Sequence, residues 1–558
     1  MSDTFPFTRR ALARQPLPEG EAKQVSPSPA GRGAGGEGGF RPALQRALQH
    51  IEGAFDLAFG QRLNPWRHLG ALSFWCFWIV AVTGIYVYAA FDTSVAGAYA
   101  SVERITHNAW PLGGLARSLH RYASDAFVAI VLLHLAREWI VGHARGFRWF
   151  SWLSGVPLLW LLYLSGIGGY WLVWDRVAQF SLIATAEWLD WLPLFAEPLV
   201  RNFIAGESMT DRFFSLLIFL HIGVPLLLLT GMWVHIQRIS RPRTNPPRAI
   251  ALGLLVALFA LGIARPALSD APADLAIVPT SLDLDWMYLG IHPLLYASSA
   301  GSLWALVGGA TLLLALLPWL PPLSRPLAAR VDLENCNGCG RCFADCPYAA
   351  VTLQPRTDGK ALPRQAVVDA DLCAGCGICA GACPSSTPFR SVEELATGID
   401  MPQQPIDALR LALERAIASL KGKTRIVVFG CGSGADIASL AAADTATLAL
   451  ICSGMLPPSF VEYALRAGVD GVLITGCRDG DCDFRLGNRW TEERVAAERE
   501  PHLRQAVPLE RVRIAWAGPT DRETLASELE RCRATLASLP VPASAGHVRP
   551  KRAEVAHG

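Results

Sequence analysis

"HRYASDAFVAIVLLH" (residues 120–134) begins and ends in histidine, with a run dominated by Ala, Val, Ile, Leu and Phe between. Fourteen residues are close to four helical turns, so His120 and His134 share one face of a helix, about 21 Å apart along its axis. "HIGVPLLLLTGMWVH" (221–235) repeats the arrangement with His221 and His235. An isolated histidine in an apolar helix is readily a satisfied core residue. Two pairs at equal spacing are harder to read that way, because ionisable groups at membrane depth are rare and functional. Neutral imidazole is a metal ligand, and two imidazoles suit low-spin haem iron. Two glycine pairs carry the same period: Gly70 with Gly84, and Gly155 with Gly169. A flat cofactor needs neighbouring backbones to recede, and glycine supplies that space. The pattern predicts two haems clamped one above the other inside a four-helix bundle.

Composition supports a membrane protein with a soluble part. The chain has 558 residues, too many for one ordinary domain, with 51% hydrophobic and 18% charged residues. A net charge of +2 gives no reason to expect nucleic acid. About six stretches are long and apolar enough to cross a bilayer, near 69–90, 116–142, 151–174, 212–238, 248–266 and 299–320. Arg62, Arg67, Arg145, Arg148, Arg238, Arg241, Arg243, Arg248, Arg325 and Arg330 flank them on one side. Glu187, Asp190, Glu197, Asp270, Asp274 and Asp283 lie on the other. The positive-inside rule then puts both termini in the cytoplasm, in a multi-pass inner-membrane protein. No secretory signal opens the chain. Residues 1–60 are expected to be mostly disordered, because 15–40 are rich in Gly, Pro and Ser. A disordered tail is expected at 541–558.

Residues 61–320 resemble cytochrome b of the respiratory and photosynthetic quinol-oxidising complexes. The resemblance rests on the His and Gly pairs, on "GLARSLH" (114–120), on "GYWLVWD" (169–175) and on Pro225, four residues after His221. It implies two haem b groups, with His120 and His221 holding the outer one and His134 and His235 the one near the cytoplasm. It implies that Arg117 pairs with a haem propionate. It also implies a quinone or quinol as membrane partner, and a homodimer. There are departures. Val173 replaces the proline of the family's L-P-W, and "LDWMYL" (284–289) stands where the family has P-E-W-Y. Asp285 and Tyr288 are the candidates for handling a quinone proton, with a plain loop acid as the competing reading of Asp285. Cys76 reads as a small core residue.

The remaining thirteen cysteines follow residue 335. "CNGCGRCFADCP" (336–347) and "CAGCGICAGACP" (373–384) are each C-x2-C-x2-C-x3-C-P, the run of bacterial two-cluster ferredoxins. The fourth cysteine of each run serves the other cluster. One [4Fe–4S] cluster is expected on Cys336, Cys339, Cys342 and Cys383, and a second on Cys373, Cys376, Cys379 and Cys346. A zinc ribbon would show two C-x2-C pairs instead. The ferredoxin-like α+β module spans 331–390.

Residues 424–540 alternate short β-branched runs with helical ones, which predicts a small α/β domain with a parallel sheet. Cys431, Cys452 and Cys477 follow three predicted strands, where such domains place ligands, and Cys482 lies five beyond Cys477. "LRAGVDGVLITGC" and "GDCDFRLGN" resemble the delta subunit of methyl-viologen-reducing hydrogenases. That resemblance implies a small cluster, here [2Fe–2S] on these four cysteines. It also implies a hydrogenase, dehydrogenase or heterodisulfide-reductase-like cytoplasmic partner. "CGSG" replaces the family's usual C-x-x-C, so a docking domain with vestigial thiols competes. Cys532 reads as structural.

The expected architecture is therefore multidomain: an all-α membrane bundle, a ferredoxin-like module and a parallel-sheet domain. The expected function is an oxidoreductase subunit that relays electrons between the quinone pool and a cytoplasmic enzyme, in either direction. The alternatives are a transmembrane conduit to a non-quinone acceptor, and an anchor for soluble subunits.

Overall fold

The computed structural model describes residues 40–108, 111–145, 148–194, 198–199, 209–237, 239, 242–320, 327–390 and 392–540. The expected disorder of residues 1–39 and the expected tail at 541–558 lie outside them. Residues 40–59 depart from expectation, because Phe40–Phe59 is a helix, α1. Its sequence is amphipathic, and helix period rather than composition decides its state.

The membrane half follows as α2 (Leu69–Ala90), α3 (Ala98–Glu103), α4 (Leu112–Val141), α5 (Trp149–Val173), α6 (Arg176–Asp190), α7 (Asp211–Ile236), α8 (Arg248–Ala264), α9 (Ile291–Ala297) and α10 (Ala300–Leu316). Among the described residues, four helical segments are long and apolar enough to cross a membrane: Pro65–Ala90, Trp149–Val173, Asp211–Ile236 and Ala300–Trp319. The other two expected spans differ for separate reasons. α4 is long but carries Arg117, Arg121, Asp125, Arg137 and Glu138. α8 has 17 residues, about 26 Å at the helical rise. The chain is a multi-pass membrane protein.

α2 packs along α4 and α5 along α7, so each histidine helix has a glycine helix as its neighbour. Phe77, Phe127, Leu162, Leu228 and Met232 fill the space between. Cys76 is fully buried there, as a small core residue should be.

The C-terminal half starts with two antiparallel strand pairs. β1 (Arg330–Val331) pairs antiparallel with β4 (Ile399–Asp400), and β2 (Val351–Pro355) with β3 (Arg364–Val368). Two five-residue helices, α11 (Arg341–Asp345) and α12 (Ile378–Ala382), follow the two cysteine loops. Next come α13 (Ile406–Ser419), β5 (Ile426–Cys431), β6 (Thr445–Leu450), α14 (Pro458–Arg466), β7 (Gly471–Gly476), α15 (Gly487–Val495), β8 (Val512–Trp516) and α16 (Arg522–Ser538). β5 to β8 form a fully parallel sheet in the order β6–β5–β7–β8. The central strands β5 and β7 are buried along their whole length, as their unbroken apolar sequences require.

The sequence left residues 391–423 outside both soluble domains. In the structure Leu395, Ile399, Met401, Ile406 and Leu409 share one core with Cys342 and Ala380 on one side and Val427, Phe429 and Phe460 on the other. The ferredoxin-like module and the sheet domain are thus packed as one body.

Candidate cofactor sites

In the bundle, each of the four glycines faces one of the four histidines, a pairing that the shared period alone did not assign. A Cβ on Gly84 would lie 2.9 Å from His120 Cε1, and one on Gly169 the same distance from His221 Cε1. On Gly70 it would lie 3.4 Å from His134 Cε1, and on Gly155 3.3 Å from His235 Cε1. The histidines therefore sit at two levels. His134 and His235 form the near level, beside the sheet domain, and His120 and His221 the far level.

At the far level the two imidazole rings stand 6.3 Å apart, centroid to centroid. One metal ion between two imidazoles, with bonds of about 2 Å and ring nitrogens about 1 Å from each centroid, separates centroids by about 6 Å. Backbone carbonyls hold both rings. His120 Nδ1 is 3.0 Å from the Val80 carbonyl oxygen, and His221 Nδ1 is 3.0 Å from that of Ser165. A carbonyl only accepts, so Nδ1 carries the proton and Nε2 keeps its lone pair for a metal. The residues fit a bis-His haem at this level. At the near level His235 Nδ1 lies 3.1 Å from Ser154 Oγ, and His134 Nδ1 lies 3.9 Å from Glu138 Oε1. His134 and His235 line a cavity of about 280 Å³, with Gly70 and Gly155 in its wall.

Arg117 lies near the far level. It donates to Thr106 Oγ1 and, at 2.8 Å, to Ser269 Oγ, and its guanidinium is 3.6 Å from Glu103. Asp285 is not a free loop acid. It accepts from Arg121 at 2.5 Å and from the Tyr170 hydroxyl, and Arg121 also pairs with Asp125. Tyr288 is buried, 2.7 Å from Ser124 Oγ, in the space Gly166 leaves. Arg121, Asp125 and Tyr170 were not singled out from sequence. The one available signal was the charge of Arg121 and Asp125 on an otherwise apolar face.

The eight ferredoxin-like cysteines lie in two neighbouring groups. Cys336, Cys339, Cys342 and Cys383 line one small pocket, so the last cysteine of the second run joins the first three of the first. Cys376 and Cys379 have Cys346 and Cys373 among their electrostatic neighbours. The loops bend alike: Gly338, Gly340, Gly375 and Gly377 all have φ between 67° and 80°, which side-chain-bearing residues resist. Burial pushes the Cys342 and Cys376 thiols up to about 12. Ligation requires thiolates, so cluster binding would release these protons.

Cys431, Cys452, Cys477 and Cys482 are all buried and meet at the carboxyl ends of β5, β6 and β7. Cys431 Sγ is 3.9 Å from Cys477 Sγ, and Cys452 and Cys482 are the close electrostatic neighbours of this pair. Gly487 makes room, since a Cβ there would lie 2.3 Å from Cys452 Sγ. Four converging sulfurs fit a small cluster, with Gly434 in place of a fifth thiol. Cys532 is buried in the helix core.

Sequence reading missed the charged contacts around these sites. Arg148 Nη2 is 2.8 Å from Asp481 Oδ1 and also donates to the Asp481 carbonyl. Burial alone would raise the Asp481 carboxyl, but Arg148 and then His143 outweigh it and hold it well below the usual carboxylate range. Burial likewise opposes the Arg148 charge, and Asp481, Asp483 and Glu138 hold it above its ordinary value.

Three segments of the chain match known families. Residues 54–242 match cytochrome b/b6/petB, residues 335–387 a 4Fe-4S dicluster domain, and residues 426–539 the delta subunit of methyl-viologen-reducing hydrogenase. A solved structure titled "Hyperthermophilic respiratory Complex III" is 21% identical, covering 49% of this chain and 80% of that chain with a TM-score of 0.40. The three family matches stand in the order that the sequence motifs predict.

Proposed function

We propose that this protein, a membrane electron-transfer chain of the oxidoreductase class, relays electrons between the quinone pool and a cytoplasmic enzyme. The observation that carries this reading is the pairing of each bundle glycine with its own histidine at two levels, on a chain that also holds two complete ferredoxin cysteine sets. Two haem b groups and two [4Fe–4S] clusters are assigned to these residues, and a [2Fe–2S] cluster to Cys431, Cys452, Cys477 and Cys482. When bound, such groups accept and donate single electrons. The protein's part is to hold Nε2 of His120 and His221 unprotonated through the Val80 and Ser165 carbonyls, to keep water from the bundle, and to fix the sites relative to one another. Both termini and the soluble half are assigned to the cytoplasm by the arginine flanks. The resemblance to a hydrogenase delta subunit supports a hydrogenase, dehydrogenase or heterodisulfide-reductase-like partner. A homodimer accords with the resemblance to cytochrome b.

Quinone chemistry is assigned to the far level. Asp285 and Tyr288 lie in one polar cluster with Arg121, Tyr170 and Ser124, the groups best placed to hold or move a proton. One observation favours a second reading, a conduit to a non-quinone acceptor: Asp285 is already engaged by Arg121 and Tyr170. An anaerobic optical spectrum of the purified protein, before and after a quinol analogue and then dithionite, separates the two. A reduced b-haem band with quinol supports quinone coupling. A band with dithionite alone moves the assignment to the conduit. The absence of any b band in a fully loaded preparation rejects the histidine assignment.

A further inference from the structure

The chain runs from the bundle to the ferredoxin-like module and only then to the sheet domain, yet the packing follows another order. The cavity of the near level is lined on one side by His134 and His235 and on the other by Arg478, Asp479, Gly480 and Asp481, the loop that leads into Cys482. Short contacts join the histidine to this loop. His134 faces Glu138 at 3.9 Å, Glu138 binds His143 at 2.5 Å, His143 lies 3.1 Å from Arg148, and Arg148 pairs with Asp481 at 2.8 Å.

Ion pairs around the loop hold the sheet domain against the bundle. Arg67 pairs with Asp521 at 2.7 Å, Arg243 with Asp479 at 2.7 Å, and the Thr520 hydroxyl donates to Glu52 of α1 at 2.7 Å. Glu52 is itself paired with Arg137 at 2.9 Å. Arg67, Arg137, Asp521 and Glu52 are buried or nearly so, and buried pairs of this kind fix geometry because an unpartnered member is costly.

Behind the loop, the four-cysteine site abuts the second ferredoxin run. Cys452 packs with Cys376, Ile378 and Trp490. A Cβ on Gly381 would lie 2.4 Å from the Gly454 carbonyl, so the two backbones are in direct contact. Trp490 donates to the Asp345 carbonyl at 3.0 Å, and Arg494 pairs with Asp345 at 2.5 Å, one residue before Cys346. The first ferredoxin set is the more open one: Cys339 is exposed, and so is Phe343 beside it.

We propose that the four-cysteine site of the sheet domain is the carrier that meets the near level of the bundle, with the loop Arg478–Asp483 as the contact and Arg148 as its positioning residue. The sequence of sites is then His134/His235, the four cysteines of the sheet domain, the Cys373 set and the Cys336 set. The Cys336 set, with its exposed rim, faces the soluble partner. Each crossing moves one electron from a reduced iron site to the adjacent oxidised one, with no bond made or broken and no proton transferred. This inference rests on the electron-relay reading above and specifies its route.

The test uses the full-length, cofactor-loaded protein and three measurements. A small two-[4Fe–4S] bacterial ferredoxin, reduced and freed of its reductant, is mixed anaerobically with wild type, Cys477→Ser and Arg148→Ala, and the reduced haem band is followed. Cys477→Ser is expected to keep the haem spectrum and both [4Fe–4S] signals while haem reduction slows roughly tenfold or more, because a carrier held at high effective concentration is lost. Arg148→Ala keeps every cysteine and is expected to slow reduction as well. In the electron paramagnetic resonance spectrum, it should also lose the relaxation enhancement that nearby oxidised haem iron gives the sheet-domain cluster. Hydrogen exchange of 478–483, read on the same loaded protein, should rise in Arg148→Ala. Wild-type rates in Cys477→Ser overturn the route, since the ferredoxin module would then reach the bundle directly. If Cys477→Ser does not fold, unchanged relaxation and rate in Arg148→Ala overturn it. Wild-type haems that stay oxidised while the clusters are reduced overturn the relay reading itself.

Discussion

The two levels of the bundle are built from one repeated pattern, yet their surroundings differ. At the far level, a Cβ added at either glycine would approach its histidine ring to 2.9 Å and the rings face each other at 6.3 Å, with Arg121, Asp125 and Asp285 close by. At the near level the approach is 3.3–3.4 Å, and the histidines open into a cavity whose other wall comes from the sheet domain. A fixed spacing along two helices makes the levels equivalent in ligand chemistry. What each level can exchange electrons or protons with is set by the residues that pack above and below it.

The hardest test of this comparison is removal of a ligand. His221→Ala and His235→Ala should each lower the haem content from about two per chain to about one, because the proposed haem ligand at each level is an imidazole. Haem assay and the reduced-band spectrum check this, and the two variants should lose different components of the band. Loss of the same component from both would break the division into two levels.

A smaller effect should distinguish how tightly the levels are packed. Gly84→Ala forces a Cβ to 2.9 Å from a ring held by a backbone carbonyl, whereas Gly70→Ala meets its ring at ordinary contact distance. Overpacking of this kind costs about 1–3 kcal/mol. Gly84→Ala should therefore lower far-level haem occupancy, while Gly70→Ala stays near wild type. Equal losses would show that the haem itself, rather than the apposed ring, sets the space at both levels.

Asp285→Asn sharpens the comparison on the polar side. It removes a carboxylate shared by Arg121 and Tyr170 and leaves Arg121 with Asp125. Arg121 is about a third exposed at its side chain, so the loss should be about 1–2 kcal/mol, below that of a fully buried pair. A lowered Tm, slower quinol-driven reduction and an intact dithionite spectrum are the expected results. Unchanged quinol-driven reduction would take Asp285 out of the proton path.

The smallest effect is the pH dependence of the sheet-domain seat. Burial alone would raise the Asp521 carboxyl, but Arg478 and Arg67 outweigh it and hold it below its ordinary value. A depressed carboxylate contributes its full stabilisation above its unfolded value of about 3.9, and loses it as pH falls through the folded value. The seat should therefore be constant from neutral pH down to about 4 and loosen only in stronger acid. Hydrogen exchange across 518–522 as a function of pH checks this. Loosening between pH 7 and 5 would remove Asp521 as the group that governs the contact.

Much of the site was legible because its residues obey short, regular spacings. The period of fourteen marked four histidines and four glycines, and the ferredoxin runs marked eight cysteines with their crossed pairing. Cys431, Cys452 and Cys477 were legible as strand ends, since a parallel sheet brings such ends to one edge. Helix α1 was misjudged because a Gly- and Pro-rich segment precedes it, and composition was extended past the point where helical period begins. Residues 391–423 were left unassigned because α13 has no motif, only an apolar face that finds its core across two domains.

The sequence by itself determined the three kinds of module, and it named the candidate ligands and their grouping. Those features depend on helical rise, strand alternation and loop closure over a few residues, which repeat wherever the same spacing occurs. Only the tertiary structure decided which module meets which. Arg148 and Asp481 are 333 positions apart, and neither belongs to a periodic pattern. Their pairing depends on a buried arginine and a partly buried carboxylate arriving at one place, a condition set by the packing of whole domains rather than by any local run of residues.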